Sequence, residues 1–144
     1  MPLTDQHRFG MQLAQMSRGW RAELDRRLAG LGLSQARWLV LLHLARFENV
    51  PTQRELAQSV GVEGPTLARL LDSLEAQGLV QRHAVLEDRR AKKIVLSDSA
   101  RPLIAQIEAI ATALRKELFV GVDEEEQRIC MRVHKRILEN LEKN

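Results

Sequence analysis

Cysteine, proline, glycine and aromatic residues are all scarce in this chain. The single cysteine, Cys130, excludes an intrachain disulfide and a cysteine-based zinc finger. Four prolines, eight glycines and 3% aromatic residues argue against a β-sandwich or barrel and favour helices. The longest nearly uncharged apolar run, 38–45, is too short for a membrane span, and residues 1–8 have no signal-peptide core. We therefore expect one mostly helical, cytoplasmic domain that does not bind membranes.

Apolar residues at spacings of three and four predict long helices at both ends of the chain. They recur from Phe9 to Leu28, from Leu103 to Leu118 and from Ile129 to Leu141. Ser97 or Asp98 is expected to cap the second of these helices and Asp123 the third. A further helix, at about 35–47, is apolar on most of its surface and is expected to lie centrally in the core.

Two short helices between residues 53 and 76 are predicted by their end signals. Thr52 and Glu55 have the spacing of a capping box, and Gly61 falls where a tight turn requires a positive φ. This pattern favours a helix-turn-helix, with an ordinary helical hairpin as the alternative. The exposed face of its second helix carries Pro65, Thr66, Arg69 and Ser73. Their short side chains allow close approach to a major groove, where Arg69 would reach a guanine edge or a phosphate.

A basic hairpin is predicted after the helix pair. Strands at 79–82 and 93–96 flank a charged stretch of about ten residues, and a helix-turn-helix followed by such a hairpin is a winged helix. Five cations fall in residues 79–97 against the two acids Glu87 and Asp88; they are Arg82, Arg89, Arg90, Lys92 and Lys93. An arginine at the tip suits a narrow minor groove. Asp88 would pair with Arg90 and fix its direction; alternatively Asp88 merely ends a turn.

The wing sequence resembles that of a known family. Residues 78–82, GLVQR, followed by 88–97, DRRAKKIVLS, are similar to the wing motif of the MarR family of bacterial transcription regulators, most closely its SlyA subgroup. Further similarity lies at 20–22, at 34–35, at Trp38 and at 62–67, so it covers nearly the whole chain. Many members have a glycine shortly after the wing, where this chain has Ala100 and then Pro102, so the resemblance does not define the start of the fifth helix.

The resemblance implies a homodimeric winged helix-turn-helix protein, mostly α with a small β-hairpin. Residues 1–33 and 97–144 would be dimerisation helices, and 34–96 the DNA-binding region, with the helix-turn-helix at about 53–76 and the wing at about 79–96. Arg69 would work in the major groove and Arg90 in the minor groove. The partner would be double-stranded DNA with a pseudo-palindromic site. The full predicted DNA-binding set is Thr52, Pro65, Thr66, Arg69, Ser73, Arg82, Asp88, Arg89, Arg90 and Lys92.

The apolar stripes independently favour a dimer. The first helix and the last two carry strong stripes outside the winged-helix core, and a domain of this size has little left to bury them against. Apolar patches of that size usually mark an interface. A two-fold dimer would present two recognition helices to the DNA.

Catalytic, metal and cofactor motifs are not expected. The four histidines lack metal-binding spacings, and no phosphate loop or nucleophile elbow is present. Cys130 is expected to be a packing residue rather than a redox sensor. We therefore expect a regulator, not an enzyme, with no cofactor and no metal; the alternative is a winged-helix protein-interaction module without specific DNA binding.

A small-molecule site is the last expectation. The MarR family commonly binds aromatic acids between the dimer helices and the winged domain, so the resemblance implies a small aromatic acid effector. Trp20, Arg21, Trp38 and His43 would line this pocket. The competing interpretation is that both tryptophans belong to the core.

Overall fold

The computed structural model describes the backbone of residues 1–144 and every side chain except those of Arg89 and Arg90. The described chain is mostly helical with a two-stranded antiparallel hairpin, as the composition predicted. The helices are α1 Asp5–Leu28, α2 Gln35–Arg46, α3 Gln53–Val60, α4 Gly64–Ala76, α5 Ala100–Leu118 and α6 Glu124–Glu142. The strands are β1 Val80–Val85 and β2 Asp88–Leu96, and a single 3-10 turn, Ala29–Leu31, follows α1.

The chain forms two compact units, Met1–Ala111 and Thr112–Asn144. In the first unit α2 contacts α3, α4 and β2, which confirms its predicted central position. Its residues Trp38, Val40, Leu41, Leu42 and Leu44 are all buried. The fully buried side chains of the neighbouring elements pack the same core; they are Leu28, Leu56, Leu67, Leu71, Leu74, Val80, Ile94 and Ile107.

Local chemistry determines several helix ends. The Thr52 and Glu55 capping box forms as predicted, with Thr52 Oγ1 accepting from the Glu55 amide at 3.1 Å and Glu55 Oε1 accepting from the Thr52 amide at 2.9 Å. Asp123 caps α6 in the same way, with Glu126 as its partner. Ser34 lies at the predicted N-cap of α2, although its side chain makes no capping hydrogen bond.

The apolar stripe of α1 is divided between core and solvent. Leu24 and Leu28, near its C-terminus, are buried. Phe9, Leu13 and Met16, on the same stripe, are exposed in the single chain. The N-terminal part of this helix thus presents an uncovered apolar face.

The wing strands are longer than the sequence predicted. Pairing runs outward from Val80↔Leu96 through His83↔Lys93 and Ala84↔Lys92, with an irregularity before Val85↔Asp88. The charged stretch between the two predicted strands is itself mostly strand, with a turn only at Leu86 and Glu87. In a thin, exposed ribbon both faces can carry charged side chains, so charge does not distinguish strand from loop.

Helix α5 begins at Ala100, after both predicted caps, Ser97 and Asp98. The hydroxyl of Ser99 donates instead to the Gly78 carbonyl at 2.8 Å, so the turn before α5 is bonded to the turn after α4. The buried side chains of α5 are Ala100, Ile104, Ile107, Ala111 and Leu114. This face is rotated from the predicted stripe, of which Leu118 is exposed.

The second unit contains the end of α5 and all of α6. Apolar side chains of α6 recur along its exposed surface; they are Ile129, Met131, Val133, Ile137, Leu138 and Leu141. No single helix in the described chain is long and apolar enough to cross a membrane. Only Asp5–Leu31 and Gln35–Arg46 taken together reach that length and composition, and they are bent by 93°.

Candidate nucleic-acid interface

The helix-turn-helix is closed by Gly61, whose φ of +83° confirms the predicted left-handed turn. The amides of Gly61 and Val62 both donate to the Ala57 carbonyl, at 2.9 and 3.1 Å. These bonds end α3, and α4 begins after three intervening residues, with Pro65 in its first turn. Buried Leu56 and Leu67 hold the two helices on the core.

The predicted recognition residues share one side of α4. Pro65, Thr66, Arg69 and Ser73 follow helical spacing, and they are exposed or half-buried. The Arg69 guanidinium donates to Thr66 Oγ1 at 3.4 Å, so it lies along the helix surface rather than in a strong ion pair. This side combines short side chains with one long cation.

The wing is joined to the start of α3. The Ile94 amide donates to the Pro51 carbonyl at 3.0 Å, and Thr52 forms an isolated bridge with Lys93. Thr52, a predicted DNA contact, therefore lies where the wing meets α3.

A groove of about 640 Å³ brings α3, the start of α4 and the wing together. Lys92 and Arg82, both predicted DNA contacts, line its wing side. Three polar side chains of α3 line it too, and the sequence analysis had not selected them; they are Gln53, Arg54 and Gln58. The sequence could have indicated these residues, because the capping box defines the start of α3 and its apolar residues define the opposite, polar face.

Arg82 is held by two acids of α4. Its Nη2 donates to Asp72 Oδ1 at 2.6 Å and to Glu75 Oε1 at 2.8 Å, and its amide donates to Glu75 Oε2 at 3.3 Å. Its side chain is only 18% exposed. The hydrogen bonds that Arg82 donates lower the pKa of Glu75, and acceptance of these bonds by Glu75 and Asp72 raises the pKa of Arg82. We call these three residues the wing clamp.

The tip of the wing carries the remaining predicted contacts. Asp88 is exposed, pairs with Val85 in the strand ladder and opens β2. The side chains of Arg89 and Arg90 lie outside the described residues, so their predicted roles, and the pairing of Arg90 with Asp88, stay predictions.

The four predicted pocket residues lie in different surroundings in the described structure. Trp38 is 2% exposed and belongs to the core, where its Nε1 donates to Asp25 Oδ1 at 3.3 Å. Half-buried His43 shares a 2.8 Å hydrogen bond with Ser59 Oγ, and Trp20 is also half-buried. Arg21 is exposed and lines a cavity of about 220 Å³ with Gln35, Ala36, Leu39, Val60, Gly61, Val62 and Leu70.

Comparison with known proteins is consistent with this architecture. Residues 31–91 match the model of the MarR family. The crystal structure of transcriptional regulator PA3341 is 70% identical, with a TM-score of 0.89, and the match covers 94% of this chain and 99% of that one.

More distant structures have the same fold. AbsC, a MarR family transcriptional regulator from Streptomyces coelicolor, is 20% identical with a TM-score of 0.86, over 100% of this chain and 99% of that one. MepR in a DNA complex, from S. aureus, is 25% identical with a TM-score of 0.77, over 97% and 99%. Since the family match covers the helix-turn-helix and the outer wing, and the 70% identical regulator extends the similarity over nearly the whole length, the chain belongs to the MarR family of winged-helix transcriptional regulators.

Proposed function

We propose that this protein is a homodimeric, sequence-specific DNA-binding transcriptional regulator that acts in the cytoplasm on the nucleoid. The observation that carries this proposal is the single side of α4 formed by Pro65, Thr66, Arg69 and Ser73, next to a wing joined to the start of α3. The same two elements carry DNA contacts in winged-helix proteins. MepR, a structural relative, has been crystallised with DNA.

The recognition helix would enter the major groove through this side. Pro65, Thr66 and Ser73 are short enough for close approach, and Arg69 has the reach for a guanine edge. Its only described hydrogen bond is a 3.4 Å contact to Thr66, which costs little to give up on binding. Arg69 would therefore be the main base-reading residue.

The wing would enter the adjacent minor groove. Arg90, directed by Asp88, would insert into the groove, while Arg89 and Lys92 would contact the flanking phosphates. The wing motif at 88–97 supports assignment to the SlyA subgroup. Gln53 and Arg54 of α3, which line the groove beside the wing, would add contacts to the DNA phosphate backbone.

Dimerisation would place two recognition helices on one operator. Phe9, Leu13 and Met16 of α1 and the apolar side chains of α6 are exposed in the single chain. Burial of apolar surface stabilises association by roughly 25 cal/mol per Å² of area, before the entropic cost. These faces are the proposed dimer interface.

A small aromatic acid effector would bind near Arg21. Its cation suits a carboxylate, and Leu39 and Leu70 give its cavity an apolar wall. Trp38 would act there only as packing, because it is buried in the core.

The test is fluorescence anisotropy with duplexes from the DNA flanking the protein's own gene, at about 150 mM salt. We expect nanomolar to tens-of-nanomolar affinity for one pseudo-palindromic duplex and far weaker binding to its scrambled version. Arg69→Ala should lose about 1–3 kcal/mol on the operator and less on scrambled DNA. Arg101→Ala, which removes an exposed cation at the start of α5, is the charge-matched control.

Two results would change the proposal. Equal affinity for operator and scrambled DNA would contradict sequence-specific binding and favour a protein-interaction module. An equal loss on both duplexes with Arg69→Ala would reassign Arg69 to a phosphate contact.

A further inference from the structure

The outer wing has little packing of its own. Val80 and Ile94 are buried at its base, whereas His83, Ala84, Leu86, Glu87 and Asp88 toward the tip are exposed. A two-stranded hairpin without a packed face is marginally stable in water. The direction of the wing relative to α4 therefore depends on contacts at its base.

Both strands have such contacts among the described residues. On β2, the Ile94 amide is bonded to the Pro51 carbonyl, next to the Thr52↔Lys93 bridge. On β1, Arg82 is bonded to Asp72 and Glu75 on the last two turns of α4. Arg82 thus joins the strand that starts the wing to the helix proposed to enter the major groove.

The geometry of Arg82 fits a clamp better than a phosphate contact. A bond to a phosphate would compete with two short, charge-assisted hydrogen bonds that the guanidinium already makes. The Glu75 carboxylate also accepts the backbone amide of Arg82, so one acid holds both the strand and its side chain. In addition, Arg82 offsets two carboxylates on the edge of the proposed DNA-binding helix.

We propose that Arg82, Asp72 and Glu75 are positioning residues that hold the wing at a fixed angle to the recognition helix. This inference rests on the proposed function, because a fixed angle matters only if the helix and the wing must enter neighbouring grooves together. A preset angle removes the cost of ordering the wing during binding. Asp72 and Glu75 thereby favour DNA binding although they carry the same charge sign as DNA.

The decisive variant removes the two acids together. Asp72→Ala/Glu75→Ala raises the net charge by two and releases Arg82, so electrostatics alone predicts tighter DNA binding. If the wing clamp holds the wing, we expect the opposite: about tenfold weaker binding to the operator at every salt concentration. Glu48→Ala/Asp98→Ala makes the same charge change at exposed positions outside α4 and the strands, and it should bind at least as well as the parent.

A measurement without DNA separates this inference from the proposed function. A fluorophore on Glu87→Cys, in a Cys130→Ser background, reports motion of the wing tip through its anisotropy decay. Asp72→Ala/Glu75→Ala should show a larger amplitude of nanosecond motion than Glu48→Ala/Asp98→Ala, with unchanged helix content by circular dichroism. Suppose that the parent binds no specific DNA but tip motion still increases in Asp72→Ala/Glu75→Ala. The proposed function would then be wrong, whereas the role of the wing clamp in holding the wing would be supported.

Three results would overturn the clamp. They are tighter operator binding by Asp72→Ala/Glu75→Ala, an unchanged amplitude of tip motion in that variant, and an operator affinity equal to that of the Glu48→Ala/Asp98→Ala control. Arg82→Lys supplies a second check if the double variant is unstable. It keeps the charge but loses the two-acid geometry, so it should also weaken operator binding, whereas a simple phosphate contact would tolerate lysine.

Discussion

The indole of Trp38 on α2 donates a hydrogen bond to Asp25 on α1, with Nε1 and Oδ1 3.3 Å apart. Trp38 is 2% exposed, so this bond satisfies a polar group that the core would otherwise leave unpaired. It joins the first helix to the central helix of the winged-helix region.

Loss of the Asp25 carboxylate should therefore destabilise the fold. Asp25→Ala is expected to lower the free energy of unfolding by about 1–3 kcal/mol, since the buried indole loses its acceptor. Asp25→Asn keeps an acceptor oxygen and should cost less. Urea unfolding followed by circular dichroism measures both. Asp5→Ala, at the exposed start of the same helix, is the control; an Asp25→Ala midpoint equal to that control would show that the bond contributes nothing.

Helix ends and the turn of the helix-turn-helix could be predicted because their causes are local. Thr52 and Glu55 are three residues apart and need only each other, and Gly61 alone permits the φ of +83° that the turn requires. The length of the wing could not be predicted in this way. Its outer strands are stabilised by cross-strand pairing, such as His83↔Lys93, which depends on the opposite strand rather than on local composition.

The candidate site also combines features that the sequence predicts with features that it cannot predict. The common side of Arg69 and Ser73 followed from helical spacing, since both positions are defined by one element. The partners of Arg82 could not be predicted, because Asp72 and Glu75 lie on another element, and tertiary packing brings them within bonding distance. For the same reason the sequence could not decide whether Trp38 belongs to the core or to a ligand pocket.

His43 should make stability depend on pH below neutrality. Burial, together with the charges of Arg46 and Arg21, lowers the pKa of His43 below its usual 6.5. The unfolded chain therefore takes up this proton first as pH falls, and the contribution of neutral His43 is lost between its unfolded and folded pKa values. The urea midpoint should fall more between about pH 7.5 and about pH 5.5 in the parent than in His43→Gln.

His83→Gln is the matched control for this titration. His83 is exposed on the wing and bonded only to Gln81 among the contacts described for it, at 3.0 Å. This variant removes an imidazole but leaves the surroundings of His43 intact, so it controls for the loss of a histidine as such. If His43→Gln and His83→Gln follow the same curve, the environment of His43 does not perturb its titration.

The exposed stripe of α6 should hold two copies of the chain together. Light scattering at micromolar concentration is expected to give about twice the 16.4 kDa chain mass. Ile137→Glu should yield monomers, because an unpaired charge buried in an apolar interface costs several kcal/mol. Glu48→Lys, an exposed charge reversal outside α1 and α6, should leave the mass unchanged. A parent that is monomeric at this concentration would rule out the proposed interface.

Asp88 gives the sharpest test of how the wing binds DNA. If Asp88 directs Arg90 into the minor groove, Asp88→Ala should weaken operator binding even though it removes an acid from a basic wing. A wing acting only as a basic patch predicts the reverse sign, since the variant would attract phosphate more strongly. Arg90→Ala should weaken binding and lower the slope of log affinity against log salt by about one, and Arg89→Ala should weaken binding less.

Each variant is titrated on one operator across several salt concentrations. Glu87→Ala is the matched control, because it removes the neighbouring exposed acid. Tighter binding by both Asp88→Ala and Glu87→Ala at every salt concentration would reduce the role of the wing to its charge alone.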